Sequence, residues 1–276
     1  MPRASKRPPR LAHSLHESVL DLFAAATDSL RSAQDDEAVH AARKACKRIR
    51  AALRLLRGSL GEEAYRRENR AVRDAIRPLT VIRDVFVLRR TLRQLPRHPM
   101  TVQRDLDAQY RRERSRVRRH GARAALGRLA RTCARLRGRP AGEPELASAA
   151  AGVQRVYRAG RKALARARSR DDGALHEWRK QTQYLLNQLD LLQEVFDARF
   201  GKMRRRAHEI EEALGVDHDL GVLQARLDRY REIDPAFTAS IKNRRRALQR
   251  RAFHIGKRLY RPSAKQIEGR LTRRLS

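Results

Sequence analysis

One helix pattern is used twice in this chain, and that duplication constrains the fold more than any other feature. Adding 136 to the apolar positions of residues 36–57 pairs Val39 with Leu175, Ala42 with Trp178, Cys46 with Thr182, Ile49 with Leu185, Leu53 with Leu189 and Leu56 with Leu192. The steps alternate three and four, so each set forms a bundle seam along one helix face. The same offset pairs His40 with His176, Arg43 with Arg179 and Lys44 with Lys180. Each histidine follows a seam position by one residue and lies about 100° around the helix, on the flank of the buried stripe. Arg43, Lys47, Arg50 and Arg54 continue that flank at steps of three and four. A repeat period near half the chain length predicts two related lobes.

The remaining segments are helical in period as well. Apolar residues at Leu11, Leu15, Val19, Leu22 and Leu30 predict a helix over 11–31, and Asp35 or Asp36 is placed to cap the next one. A third helix is expected from Gly61, with Tyr65, Val72, Ile76 and Leu79 inward and a bend near Pro78, and a fourth runs to about Leu95. Helices follow at 101–120 and 122–137. Gly138, Pro140, Gly142 and Pro144 mark the clearest linker. Beyond it, helices are expected at 145–169, 172–196, 199–214, 219–231, 235–260 and 263–275. No segment alternates with the period of a strand, and aromatic residues make up only 5%.

A second matched pair lies downstream of each histidine helix. Ile82-Arg83-Asp84 stands before Val85 and Leu88, and at an offset of 135 Asp217-His218-Asp219 stands before Leu220 and Leu223. Asp84 and Asp219 are expected to cap helices or to orient a neighbouring arginine. Upstream, Arg70 and Arg73 correspond to Arg205 and His208.

Charge supplies the functional lead. The chain carries 65 Lys and Arg against 31 Asp and Glu, a formal net charge of +34. Part of that excess can reflect codon supply, because Arg far outnumbers Lys. The remainder calls for a polyanion, either nucleic acid, an anionic membrane or polyphosphate. His-x-x-Arg-Lys puts imidazole, guanidinium and ammonium on adjacent turns. There Arg clasps two phosphoryl oxygens, Lys adds a mobile point charge, and His gives a pH-sensitive hydrogen bond.

Other chemistries fit less well. His40, His176, His218, Asp217 and Asp219 are ligand types for zinc, but no helix face carries His-x-x-x-His or Glu-x-x-His, and the surrounding cations oppose a divalent ion. The Gly-rich phosphate loop and the Gly-x-Ser-x-Gly elbow are both absent, so neither an enzyme nor a bound cofactor is expected. Base readout would need stacking platforms or a recognition helix, and Trp178 lies on the seam as a core residue. The arginines at 111, 112, 114, 116, 118 and 119 go round their helix and would touch any polyanion. Cys46 and Cys133 form no disulfide framework. With no apolar run long enough to span a bilayer, a cytoplasmic protein with a frayed basic tail over residues 1–10 is expected.

These residues resemble the CHAD family of histidine-bearing helical domains. The second half carries the fuller likeness: Leu175-His176-Glu177-Trp178-Arg179-Lys180, preceded by Tyr157-Arg158-Ala159-Gly160-Arg161-Lys162 and followed by Leu214-Gly215-Val216-Asp217-His218-Asp219-Leu220. The first half matches through Val39-His40-Ala41-Ala42-Arg43 and Arg83-Asp84, and the likeness spans about residues 11–275. It implies an all-α fold of two four-helix-bundle lobes, about 11–138 and 144–276, related by a pseudo-twofold axis and facing a shared groove or pore, with additional helices. It also implies non-enzymatic binding of inorganic polyphosphate and association with polyphosphate granules. Nonspecific nucleic acid and a metal-chelating module are the competing readings.

The residues expected to carry binding are His40, Arg43, Lys44, Lys47, Arg50, Arg54, His176, Arg179 and Lys180. Arg70, Arg73, Arg83, Arg158, Arg161, Lys162, Arg205 and His218 extend the track. Gln183 stands opposite Lys47 and Tyr184 opposite Arg48, where the family usually has basic residues, so the halves are expected to contribute unequally.

Overall fold

The computed structural model describes residues 15–31, 36–116, 121–138, 145–196 and 200–275. The basic tail, Asp35, Arg118, Arg119 and most of the Gly/Pro linker lie outside the described residues. The elements in order are α1 (Leu15–Arg31), α2 (Asp36–Leu55), α3 (Arg57–Leu60), α4 (Glu62–Ile76), α5 (Thr80–Arg93), α6 (Met100–Arg116), α7 (Ala122–Arg137), α8 (Glu145–Arg166), α9 (Asp172–Phe196), α10 (Gly201–Leu227), α11 (Pro235–Leu259) and α12 (Ala264–Leu275). The protein is all-α, with no strand among the described residues.

Both seams are buried as their spacing demands. Every residue from Val39 to Leu56 on the first and from Leu175 to Leu192 on the second is at most 5% exposed. Helices α1, α2, α4 and α7 pack around the first seam, and α8, α9, α10 and α12 around the second, while α2 also lies against α8 and α9. One apolar core therefore runs through both halves. A smaller core forms where α5 and α6 meet α10 and α11, through Leu92, Leu106, Leu223 and Phe237.

Close approach of α2 and α8 depends on Gly152, where an added Cβ would sit 2.8 Å from the Arg54 carbonyl oxygen and 2.9 Å from Leu55 Cα. Beside it, Ser148 Oγ donates to the Leu55 carbonyl at 2.8 Å and accepts from Gly58 N–H at 3.1 Å. A side chain from α8 thus satisfies backbone groups that the end of α2 leaves open.

Two expectations are corrected. Residues 199–214 and 219–231 are one continuous helix, α10, with no break at Asp217-His218-Asp219. Neither Asp84 nor Asp219 caps a helix, since Asp84 is the fifth residue of α5 and Asp219 lies deep within α10. The matched segment in the first half does break, into α4, a 3-10 turn at Arg77–Leu79 and α5, because Pro78 lacks the N–H that an α-helix interior requires. Ala213 holds the corresponding place in α10 and lets the ladder run on.

Candidate functional site

Helix α2 presents its basic flank towards α9, and α5 and α10 close the space beside them. Three adjacent chambers result. The central one, 420 Å³, is bounded by Arg43, Lys47, Arg83, His176, Arg179 and Lys180, together with His218 and Asp219. One neighbour, 440 Å³, shares Arg43, Lys47, Thr80, Lys180 and Gln183 with it and adds Arg50, Arg73, Arg77 and Tyr184. The other, 130 Å³, shares Arg83, Val87 and Asp219 and adds Arg90 and Arg244. Shared walls make these chambers one elongated, mainly cationic cleft.

The two halves meet across it. Arg43 Nη1 donates to Thr80 Oγ1 at 2.9 Å. Its counterpart Arg179 rests against Gly215, which holds the place of Thr80, where an added Cβ would come within 3.4 Å of the guanidinium. Glu211 steadies Arg179 at 3.5 Å and accepts from Gln183 Nε2 at 3.1 Å. Gln183 therefore fixes the floor beneath Arg179 where Lys47 contributes a charge on the other side. Lys47 is pulled down to about 8 by burial first and then by Arg179 and Arg43, a cation short of counter-charge.

The histidines are held by different means. Asp217, buried, accepts from Arg245 Nε at 3.1 Å and from Gln249 Nε2 at 3.0 Å. Arg245 also pairs with Asp172 in the first turn of α9. This bridge pins the start of α9 to α10 and brings His176 against His218, with ring centroids 4.8 Å apart. Burial, then Arg179 and His176, depress His218 to about 4. His176 is lowered by loss of solvent, then by Arg179 and Lys180; His40 by loss of solvent, then by Arg83, Lys47, Lys44 and Arg43. His40 sits beside Arg83 and Phe86 at the α2–α5 edge of the cleft.

Asp84 and Asp219 do face arginines. Desolvation raises both carboxyls, opposed by Arg43 and Arg83 for Asp84 and by Arg179, Arg83 and Arg90 for Asp219. Among the described residues no group of three or more His, Cys, Asp and Glu side chains is placed to hold a metal ion. Cys46 is buried and Cys133 half-buried, both free.

Of the residues expected from sequence, Arg43, Lys47, Arg50, Arg73, Arg83, His176, Arg179, Lys180 and His218 line the cleft. Lys44 is exposed nearby, acting on His40 through its charge. Arg54 turns aside, stacking on Tyr184 at 3.7 Å from the ring centroid and donating to the Arg50 carbonyl at 2.6 Å. Arg70, Arg158, Arg161, Lys162 and Arg205 are exposed and line none of the three chambers. Sequence reasoning missed Arg77, Arg90 and Arg244. Arg90 follows Arg83 by two helical turns and was legible on that face, but nothing in the sequence ties Arg244 to α5.

No helix among the described residues is long and apolar enough to cross a membrane. A search of curated proteins gives no match. Among solved structures the chain is similar to the CHAD domain of the plant Ricinus communis, with 18% identity, a TM-score of 0.56 and coverage of 98% of this chain and 97% of that one. The likeness supports a common fold. The CHAD domain profile matches residues 15–228. With most of its length so matched, this chain belongs to the CHAD domain family.

Proposed function

We propose that the protein binds inorganic polyphosphate along this cleft and does no chemistry on it. The observation that carries the reading is the cleft's form: three adjoining chambers lined by cations, with Arg43, Lys47, Arg179 and Lys180 from both halves meeting in the central one, Arg50, Arg73 and Arg77 continuing on one side, and Arg83, Arg90 and Arg244 on the other. A single phosphate would occupy one chamber. A linear polyanion would meet guanidinium and ammonium groups in succession and release its counterions to them. CHAD domains are in general associated with polyphosphate, and the family assignment favours this polymer over others.

Nucleic acid is the second reading, and a specific feature disfavours it. The aromatic ring that lines the chambers, Tyr184, is covered by Arg54 at 3.7 Å from its centroid, and Phe86, beside His40 at the cleft's edge, has Arg83 at 5.3 Å from its own. Base stacking on an open ring is therefore not offered there. On this reading the protein works in the cytoplasm at polyphosphate granules, a location favoured by the family's general association with the polymer.

The test compares two triple variants at near-physiological salt. Replacing Arg43, Lys47 and Arg179 with alanine removes cleft cations, whereas replacing Arg111, Arg112 and Arg116 removes exposed ones from α6. The cleft variant is expected to lose polyphosphate affinity and to flatten its salt dependence by about 0.7 log units per lost contact. The α6 variant keeps nearly all its affinity. Equal losses from both sets, or equal competition by DNA and polyphosphate in the wild type, would reduce the binding to nonspecific electrostatics.

A further inference from the structure

A separate groove lies between the start of α10, the end of α11 and α12. It encloses 730 Å³ and is larger than any chamber of the cleft. Its walls include Phe200, Met203, Leu259, Pro262, Ile267 and Leu271. Lys202, Arg206, Arg258, Arg270 and Arg273 complete its lining, with no carboxylate among them. Arg206 Nη1 donates to the Arg258 carbonyl at 3.3 Å, and none of the five forms an ion pair with a described acid. The turn that shapes the groove is fixed from beneath by Tyr157, whose hydroxyl lies 3.0 Å from the Leu259 carbonyl oxygen and 2.9 Å from that of Pro262.

We infer that this groove binds a small anionic amphiphile, its hydrocarbon chain along the apolar wall and its anionic head among the flanking arginines. Three observations select that chemistry. The apolar wall distinguishes this groove from the cationic cleft, whose lining offers a strongly hydrated polyphosphate guanidinium and ammonium donors; here such a polymer would lie against leucine and isoleucine. The volume falls within the range of about 300–1,000 Å³ typical of small-molecule sites, which fits one alkyl chain rather than a protein surface. Charge complementarity sets the sign of the head group, since the lining offers cations alone. Each methylene seated there raises affinity about fourfold, so chain length should govern binding.

Gly201 gives a means of closing the groove without disturbing the core. It lines the groove, and a Cβ added there meets nothing within 4 Å. The experiment is calorimetric titration of the full-length protein with laurate below its micelle concentration, with butyrate and an uncharged dodecyl glycoside as controls. Laurate is expected to saturate one site that butyrate and the glycoside fill far less well. Gly201→Trp should weaken laurate by about tenfold or more while leaving polyphosphate binding unchanged, and Arg206→Ala with Arg270→Ala should weaken it severalfold. Circular dichroism of each variant separates loss of the site from loss of the fold. The inference is overturned by non-saturating laurate binding, by laurate affinity that survives a folded Gly201→Trp variant, or by displacement of laurate with long-chain polyphosphate. It is equally overturned if Gly201→Trp abolishes self-association of the chain and laurate does not bind, for the groove then seats a second copy.

Discussion

If the cleft holds polyphosphate as proposed, His218 makes that binding a reporter of cleft electrostatics. Burial, Arg179 and His176 hold its ring at about 4 in the free protein, with Arg245 adding to the depression and Asp172 opposing it. A polyanion laid along the cleft would supply the missing counter-charge and return the ring towards its ordinary value of about 6.5. Binding then takes up a proton wherever the pH lies between those two values, so affinity must rise as pH falls. Between about pH 7.5 and about pH 5.5, a ring moving from about 4 to about 6.5 gives roughly a tenfold gain. His176 and His40, both also lowered, act in the same direction. The assay is fluorescence anisotropy of end-labelled long-chain polyphosphate at fixed ionic strength across that range, in the wild type and in His218→Asn. The internal phosphates of the polymer stay ionised throughout, so the titration belongs to the protein. A flat wild-type profile, or a slope that His218→Asn leaves intact, would rule out proton uptake by His218 on binding.

Three further outcomes follow from the same geometry. Because the folded-state value of His218 is depressed, the unfolded chain binds more protons below about 6.5; the free protein should lose up to about 3 kcal/mol of stability as pH falls to about 4, and denaturant unfolding of His218→Asn should show a shallower loss. Gly152→Ala drives a methyl group against the backbone of α2, which cannot turn aside as a side chain would, and should cost about 1–3 kcal/mol in thermal melts. Ala213→Pro should break α10 where Pro78 breaks the first half and cost about 3 kcal/mol or more, measured by chemical denaturation, whereas Pro78→Ala should cost little.

Helix identity was legible wherever the apolar period was long and uninterrupted. The expected helix at 172–196 coincides with α9, and Trp178, read as core, is fully buried. The false break at 215–218 shows where local chemistry misleads. Aspartate favours helix caps when its carboxylate has only the nearby backbone to bond, yet Asp217 bonds Arg245 and Gln249 of α11 and stays within a helix. Partners that close only in three dimensions override a cap preference worth about 1 kcal/mol.

The same division runs through the site. Periodicity places Arg43, Lys47, Arg50 and Arg54 on one flank, but the turn from Arg50 to Arg54 meets Tyr184 of the other half, and Arg54 stacks on that ring instead of entering the cleft. Arg244 reaches the opposite end because α11 packs on α10. Residue type and spacing along one helix were enough to give an all-helical chain, two buried seams, a basic border beside each histidine and a formal net charge of +34. Tertiary structure alone decided that the two borders face each other, that His176 meets His218 while His40 meets Arg83, and which of many arginines point into one cleft. Those outcomes turn on which helices touch and on where a proline or a glycine lets them approach, and helical spacing carries no record of either.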